Sequence, residues 1–160
     1  MGAQVTTAQV WRQLEKQLFG VVGFVTAQGE ARTVGIAYLV RDRKLYFCTD
    51  ANAWKTKHVR HNPHVSMTVP IAKRMPFLPW ITIPAATITF SGTGRVLELT
   101  AVPAEIPGAL LKDLQPAEEL RQHTSVIEIT PKGDFITYGV GVPLKSMLRP
   151  AEAGGRTPVE

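Results

Sequence analysis

Residues 20–27, 32–40 and 44–49 are three apolar, strand-like runs separated only by Gln28-Gly29-Glu30 and Arg41-Asp42-Arg43. Connections this short leave no room for the crossover that parallel strands need, so the runs predict antiparallel hairpins, and the three together a meander. Further strand-like runs follow at 64–69, 86–99, 124–130 and 134–140. In the last two, Val126, Ile127 and Ile129 keep apolar residues on a half-buried surface. Ser91-Gly92-Thr93-Gly94 breaks the 86–99 run with glycines that predict a bulge or a close backbone approach. Helices are few. Residues 7–19 place Val10, Leu14, Gln17 and Leu18 near one helical face, with Arg12, Glu15 and Lys16 mostly elsewhere. Residues 103–122 predict one or two short helices broken at Pro107-Gly108 and Gln115-Pro116. The expected fold is mainly β with peripheral α, a small barrel of six or seven short antiparallel strands.

The chain of 160 residues is long enough to bury one core, and a single cysteine, Cys48, excludes an internal disulfide. The expected domain spans 1–142, with 1–19 as its N-terminal helix, and 143–160 is a polar tail that wraps a partner or stays loose. Residues 70–84 hold four prolines with Phe77 and Trp80, which predicts an irregular excursion over a site or an interface. No run of apolar residues reaches membrane-spanning length and no leader pattern opens the chain, so the expected location is cytoplasmic.

The formal charge of +5 is concentrated: residues 41–74 carry eight Lys or Arg against Asp42 and Asp50. Inside that region the 44–49 strand runs into a helix start. Asp50 and Asn52 are both suited to cap it, Ala53-Trp54-Lys55-Thr56-Lys57 follow as its first turns, and Asn62-Pro63 stops it. Unpaired amides at a helix start attract an anion, and Lys55 and Lys57 add formal charge, so the junction predicts a phosphorylated ligand. His58, His61 and His64 are spaced like metal ligands, but Pro63 breaks the helix before His64 and no cysteine or carboxylate cluster completes a site. No metal is therefore expected.

These residues, in this order, resemble the pyridoxamine 5'-phosphate oxidase-like, FMN-binding split-barrel family. The resemblance lies in Arg32-Thr33-Val34-Gly35-Ile36-Ala37, Tyr46-Phe47-Cys48-Thr49, Ala53-Trp54-Lys55, Asn62-Pro63, and Pro79-Trp80 followed by 87–92. It implies a split barrel with FMN as cofactor, and deazaflavin or haem as alternatives. Arg32 and Lys55 would be phosphate ligands, with Val34, Gly35 and Ile36 beside the ring and Cys48 and Thr49 beside the ribityl chain, and Thr33 would also bind the cofactor. Trp54 and His58 would stand close to the ligand, and Thr87 would match a family glutamine that reaches the ring. The implied assembly is a homodimer with the cofactor at the interface, acting on a small-molecule substrate by hydride transfer. Three departures mark the chain. Ala53 and Trp54 stand where the oxidase has serine and arginine, Ala37 replaces a lysine, and residues 138–160 lack the oxidase's C-terminal arginine- and histidine-containing signature. The resemblance is thus to the family and not to the vitamin B6 oxidase itself. A non-catalytic binding protein on the same fold is the second reading. Nucleic-acid binding through the basic segment is the weakest, because no recognition helix or RNA motif accompanies the charge.

Overall fold

A computed structural model describes residues 4–73, 85–111 and 122–160. Expectations for 74–84, including Phe77, Pro79 and Trp80, and for 112–121 lie outside the described residues. The chain opens with α1 (Thr7–Lys16), started by a capping box in which the Thr6 hydroxyl accepts from the Gln9 amide and Gln9 returns a bond to the Thr6 amide. Val10, Trp11 and Leu14 are its buried face. The helix ends three residues before the sequence suggests, because the chain is claimed by a strand: Phe19 pairs with Ala37, and the Tyr38 amide donates to the Leu18 carbonyl. Leu18, expected on the helical face, is 77% exposed.

Two hairpins follow, each closed as the turn residues predict. Strands β1 (Phe19–Val25) and β2 (Ala31–Ala37) pair over all seven residues around Gly29, whose φ is +81°. Strands β3 (Leu39–Arg41) and β4 (Lys44–Asp50) meet through Asp42 and Arg43, both at positive φ. Beyond them come α2 (Trp54–His61), β5 (His64–Ile71), β6 (Ala86–Glu98), a 3-10 turn (Leu99–Ala101), α3 (Glu105–Leu110) and β7 (Thr124–Tyr138). The chain then makes two single-turn helices, α4 (Leu144–Met147) and α5 (Pro150–Ala153), and a last strand β8 (Gly154–Pro158).

The expected meander is not formed. The strand order is β2-β1-β5-β6-β7-β4-β3, so the two hairpins occupy opposite edges of one antiparallel sheet, with β8 paired to β7 off this path. Instead of running on to residue 40, the second strand stops at Tyr38, whose buried hydroxyl donates to the Leu14 carbonyl at 2.9 Å and turns the chain across to the far edge. A single residue therefore joins the two edge strands. Two Cα–Cα steps span at most about 7–8 Å, so the sheet must curl until its edges nearly meet, which makes it a split barrel.

Two further expectations change in detail. Residues 124–138 form one strand, not two; it bends where its pairing with β6 slips from Thr89–Ile136 to Ser91–Lys132, beside Gly133 at φ +73°. Gly92, opposite that bend, does make the close approach its type suggests, since an added Cβ would stand 2.8 Å from the Thr130 carbonyl oxygen. The tail is not loose, being tied to its own chain. Strand β8 pairs with the second half of β7, while Trp11 Nε1 donates to the Val159 carbonyl and the Thr7 hydroxyl to that of Pro158.

The barrel interior is filled by Val22, Phe24, Leu45, Phe47, Ile88, Phe90, Ile129 and Phe135. Phe135 meets the rings of Trp11 and Phe90 edge to face, at 5.2 and 5.5 Å. A second, smaller cluster on the outside of the sheet packs Tyr46 and Val126 beneath Val102 and Ile106. Among the described residues no helix is long and apolar enough to cross a membrane.

Candidate cofactor site

The strand-to-helix junction forms, but not with the predicted cap. Asp50 Oδ1 accepts from the Asn52 amide, and the Asp50 carbonyl accepts from the Ala53 amide and the Thr56 hydroxyl. This local turn uses up the aspartate, so the N-cap position falls to Ala53, which offers no side-chain acceptor. The first helical bond runs from the Lys57 amide to the Ala53 carbonyl. The amides of residues 54–56 thus lack a capping side chain, and an anion could satisfy them.

Trp54, 40% exposed, stands edge-on to Phe24 of β1 at 5.7 Å and to His58 at 5.5 Å, while Lys55 Nζ lies 5.6 Å from the indole centroid. Phe24 is directly opposite Arg32 in the β1–β2 ladder, and opposed residues project from the same face. The register therefore brings Arg32 and Trp54 to Phe24, with Lys55 and His58 against the indole of Trp54, so that the β1–β2 hairpin and α2 contribute to one place. Sequence reading had no signal for Phe24 as their link, because it depends on the register. Arg32 Nη2 contacts Glu30 Oε2 at 3.1 Å, with both side chains more than half exposed, and such a pair holds weakly. Among the described residues Lys55 has no carboxylate partner.

The other predicted residues divide by face. On β2, Ile36 and Val34 belong to the core, while Thr33 and Gly35 face outward and the Phe19 ring covers Gly35. Among the described residues β2 pairs only with β1, and its second edge offers free backbone groups there. Thr49 is buried, but Cys48 points to the opposite side of β4, into the Tyr46–Val126 cluster, and does not join Thr49. Burial pushes the Cys48 thiol up to about 11. Native protein at pH 8 is therefore expected to react with a thiol reagent such as iodoacetamide far more slowly than urea-unfolded protein, and equal rates would contradict this burial. Thr87 lies on the outer face in β6, three strands from β2, roughly 14 Å by strand spacing. Within one chain it does not reach the Arg32–Lys55 group. Among the described residues no three His, Cys, Asp or Glu side chains converge to hold a metal.

Sequence reading also missed a charged centre whose signal was a lone carboxylate within an apolar strand. Glu128 on β7 is buried and meets the Tyr46 hydroxyl at 2.9 Å, Arg95 Nη2 at 3.1 Å and Lys44 Nζ at 3.3 Å. Burial first, then the bond to Glu128, pushes the Tyr46 hydroxyl up to about 12 from its ordinary 10. A raised phenol contributes stability that is complete below pH 10 and lost as pH climbs toward 12. Tyr46→Phe is expected to flatten that part of the alkaline denaturation curve, and an unchanged slope would show that Tyr46 does not drive it.

The sequence model of pyridoxamine 5'-phosphate oxidase matches residues 6–133, which is most of the chain. The chain belongs to the pyridoxamine 5'-phosphate oxidase-like split-barrel family. No protein of curated function matches it in sequence. Solved structures share its fold. A FAD-binding protein from Mesorhizobium loti aligns with a TM-score of 0.62 at 15% identity, over 80% of this chain and 91% of its own. An F420 reductase aligns at 0.56 and 17%, over 78% and 93%. The haem storage protein of Vibrio cholerae aligns at 0.63 and 12%, over 84% and 95%. At these identities the likeness establishes the split barrel and leaves the cofactor to the residues of the site.

Proposed function

We propose that the chain binds FMN and acts as an oxidoreductase, passing hydride between the flavin and a small-molecule substrate. The observation that carries this reading is a chain of neighbours at an uncapped helix start, in which Arg32 stands opposite Phe24, Phe24 meets Trp54, and Lys55 lies against the indole. These residues fit a phosphate monoester on a flat ring. The 54–56 amides and the two cations would hold the phosphate, and the free edge of β2 would offer hydrogen-bonding groups to the ring edge. Bound flavin supplies the hydride chemistry, so the protein has only to orient the ring, exclude water and place cations nearby.

A homodimer belongs to the same proposal. Thr87 lies too far from Arg32 within one chain, and the outer sheet face around it exposes Phe19, Val25 and Ile136, as a face covered by a second copy would. A cytoplasmic location is proposed from the single, unpaired Cys48. The second reading, a binding or sensing protein for flavin, deazaflavin or haem, is supported by the shared fold of the haem storage protein and the F420 reductase. The absorption spectrum and mass of the copurifying ligand decide the cofactor. Bleaching by NAD(P)H with reoxidation in air supports the oxidoreductase, and a bound ligand inert to reductants supports the binder.

A further inference from the structure

Helix α2 is seated on the sheet at two places. Its body rests on β6: Val59, 3% exposed, lies against Gly94, where an added Cβ would stand 3.0 Å from Val59 Cγ1. The Gly94 amide also donates to the Pro63 carbonyl at 2.7 Å, just beyond the helix end. The second tie is at the helix start. Thr56 is fully buried, and its hydroxyl donates to the Asp50 carbonyl at 2.7 Å. A threonine within a helix usually bonds the carbonyl three or four residues before it. Thr56 reaches six residues back instead, out of the helix and onto the last residue of β4. That residue is fixed by the sheet, since Asp50 stands opposite Thr124 in the β4–β7 ladder and the Ala51 amide donates to the His123 carbonyl at 2.7 Å.

The first turn of α2 needs such a tie. Its N-cap is Ala53, so among the described residues no side chain caps the helix start, and uncapped helix ends fray. The Thr56 hydroxyl holds this turn onto β4 from its buried side, where no water can take over the bond. We propose that Thr56 is a positioning residue for the cofactor phosphate: its hydroxyl sets the first turn of α2 so that the amides of residues 54–56 and Lys55 meet one anion, and it acts through the turn without touching the ligand. The role toward the phosphate rests on the proposed FMN binding; the fixing of the turn does not.

The test compares the full wild-type chain with Thr56→Val, which keeps the shape and removes the hydroxyl, and with Thr56→Ser, which keeps the hydroxyl. Each is titrated with FMN and with riboflavin, which lacks the phosphate. The ratio of the two affinities is insensitive to any loss of folded protein, because both ligands meet the same folded fraction. Thr56→Val is expected to lower the preference for FMN by about tenfold with riboflavin affinity unchanged, and Thr56→Ser to retain it. In the ligand-free chain, hydrogen exchange at the Lys57 amide, which makes the first helical bond, is expected to quicken in Thr56→Val and not in Thr56→Ser. An unchanged preference in Thr56→Val, a preference lost equally in Thr56→Ser, or unchanged Lys57 exchange in Thr56→Val would each overturn the proposal. A wild type that binds FMN no better than riboflavin would refute the phosphate reading, and the exchange rates would then decide by themselves whether Thr56 fixes the turn.

Discussion

Alanine at both Arg32 and Lys55 is expected to weaken FMN binding by about 3–6 kcal/mol, since each substitution removes a charge-assisted phosphate contact of about 1.5–3 kcal/mol. That corresponds to roughly 10²–10⁴ in dissociation constant. The two sides should not contribute equally. Arg32 is 59% exposed and already shared with Glu30, so its single variant belongs near the lower limit. Lys55 lies against an indole and has no carboxylate to give up among the described residues, so its loss should cost more. Flavin fluorescence titrations of the wild type, both single variants and the double variant measure this directly. Unchanged affinity in both single variants would remove the basis for a flavin phosphate at this junction.

The largest effect on stability is expected from Phe135→Ala, about 3–5 kcal/mol, because a fully buried phenyl ring is replaced by a cavity that the barrel cannot close. Phe135 stands between Trp11 and Phe90, so the cavity opens between α1 and the sheet. Trp11 also holds the last strand through Val159, and the C-terminal residues should loosen with it. For a chain of this size the loss corresponds to a fall of roughly 6–20 °C in Tm. Its neighbour provides the contrast: Ile136, 49% exposed within one chain on the outer face, should lose much less than Phe135 when truncated to alanine, even where a second copy covers it. Calorimetry of the two variants separates the faces of β7, and equal shifts would contradict the assigned register.

The local pieces of this fold were legible because their signals are local. Gly29 and the Asp42-Arg43 pair mark the hairpin turns, and Asn62-Pro63 marks the end of α2. What joins the pieces was not legible. The pairing of β4 with β7 links residues some eighty positions apart, and nothing in residues 32–40 alone reveals that Tyr38 will be tied to Leu14 and split the run. Strand β8 escaped notice because main-chain bonds to β7 hold it, and Gly154-Gly155-Arg156-Thr157-Pro158 has little side-chain pattern to read. At the site, Lys55 was singled out by its place at a helix start and Arg32 by the family resemblance. The cap was misread because Asp50 had a competing local use, a turn with Asn52. Cys48 and Thr49 were grouped although neighbours on a strand must face opposite sides.

The one-residue link at Tyr38 also bears on aggregation. Strand edges with unpaired backbone groups invite strands from other molecules, and repeated addition of that kind leads to aggregates. Here the two edges are drawn into one narrow slit, where a foreign strand has poor access near Tyr38. If the slit beside β2 is where the flavin lies, the ligand covers the adhesive backbone that remains, and ligand-free protein should be the form more prone to aggregate.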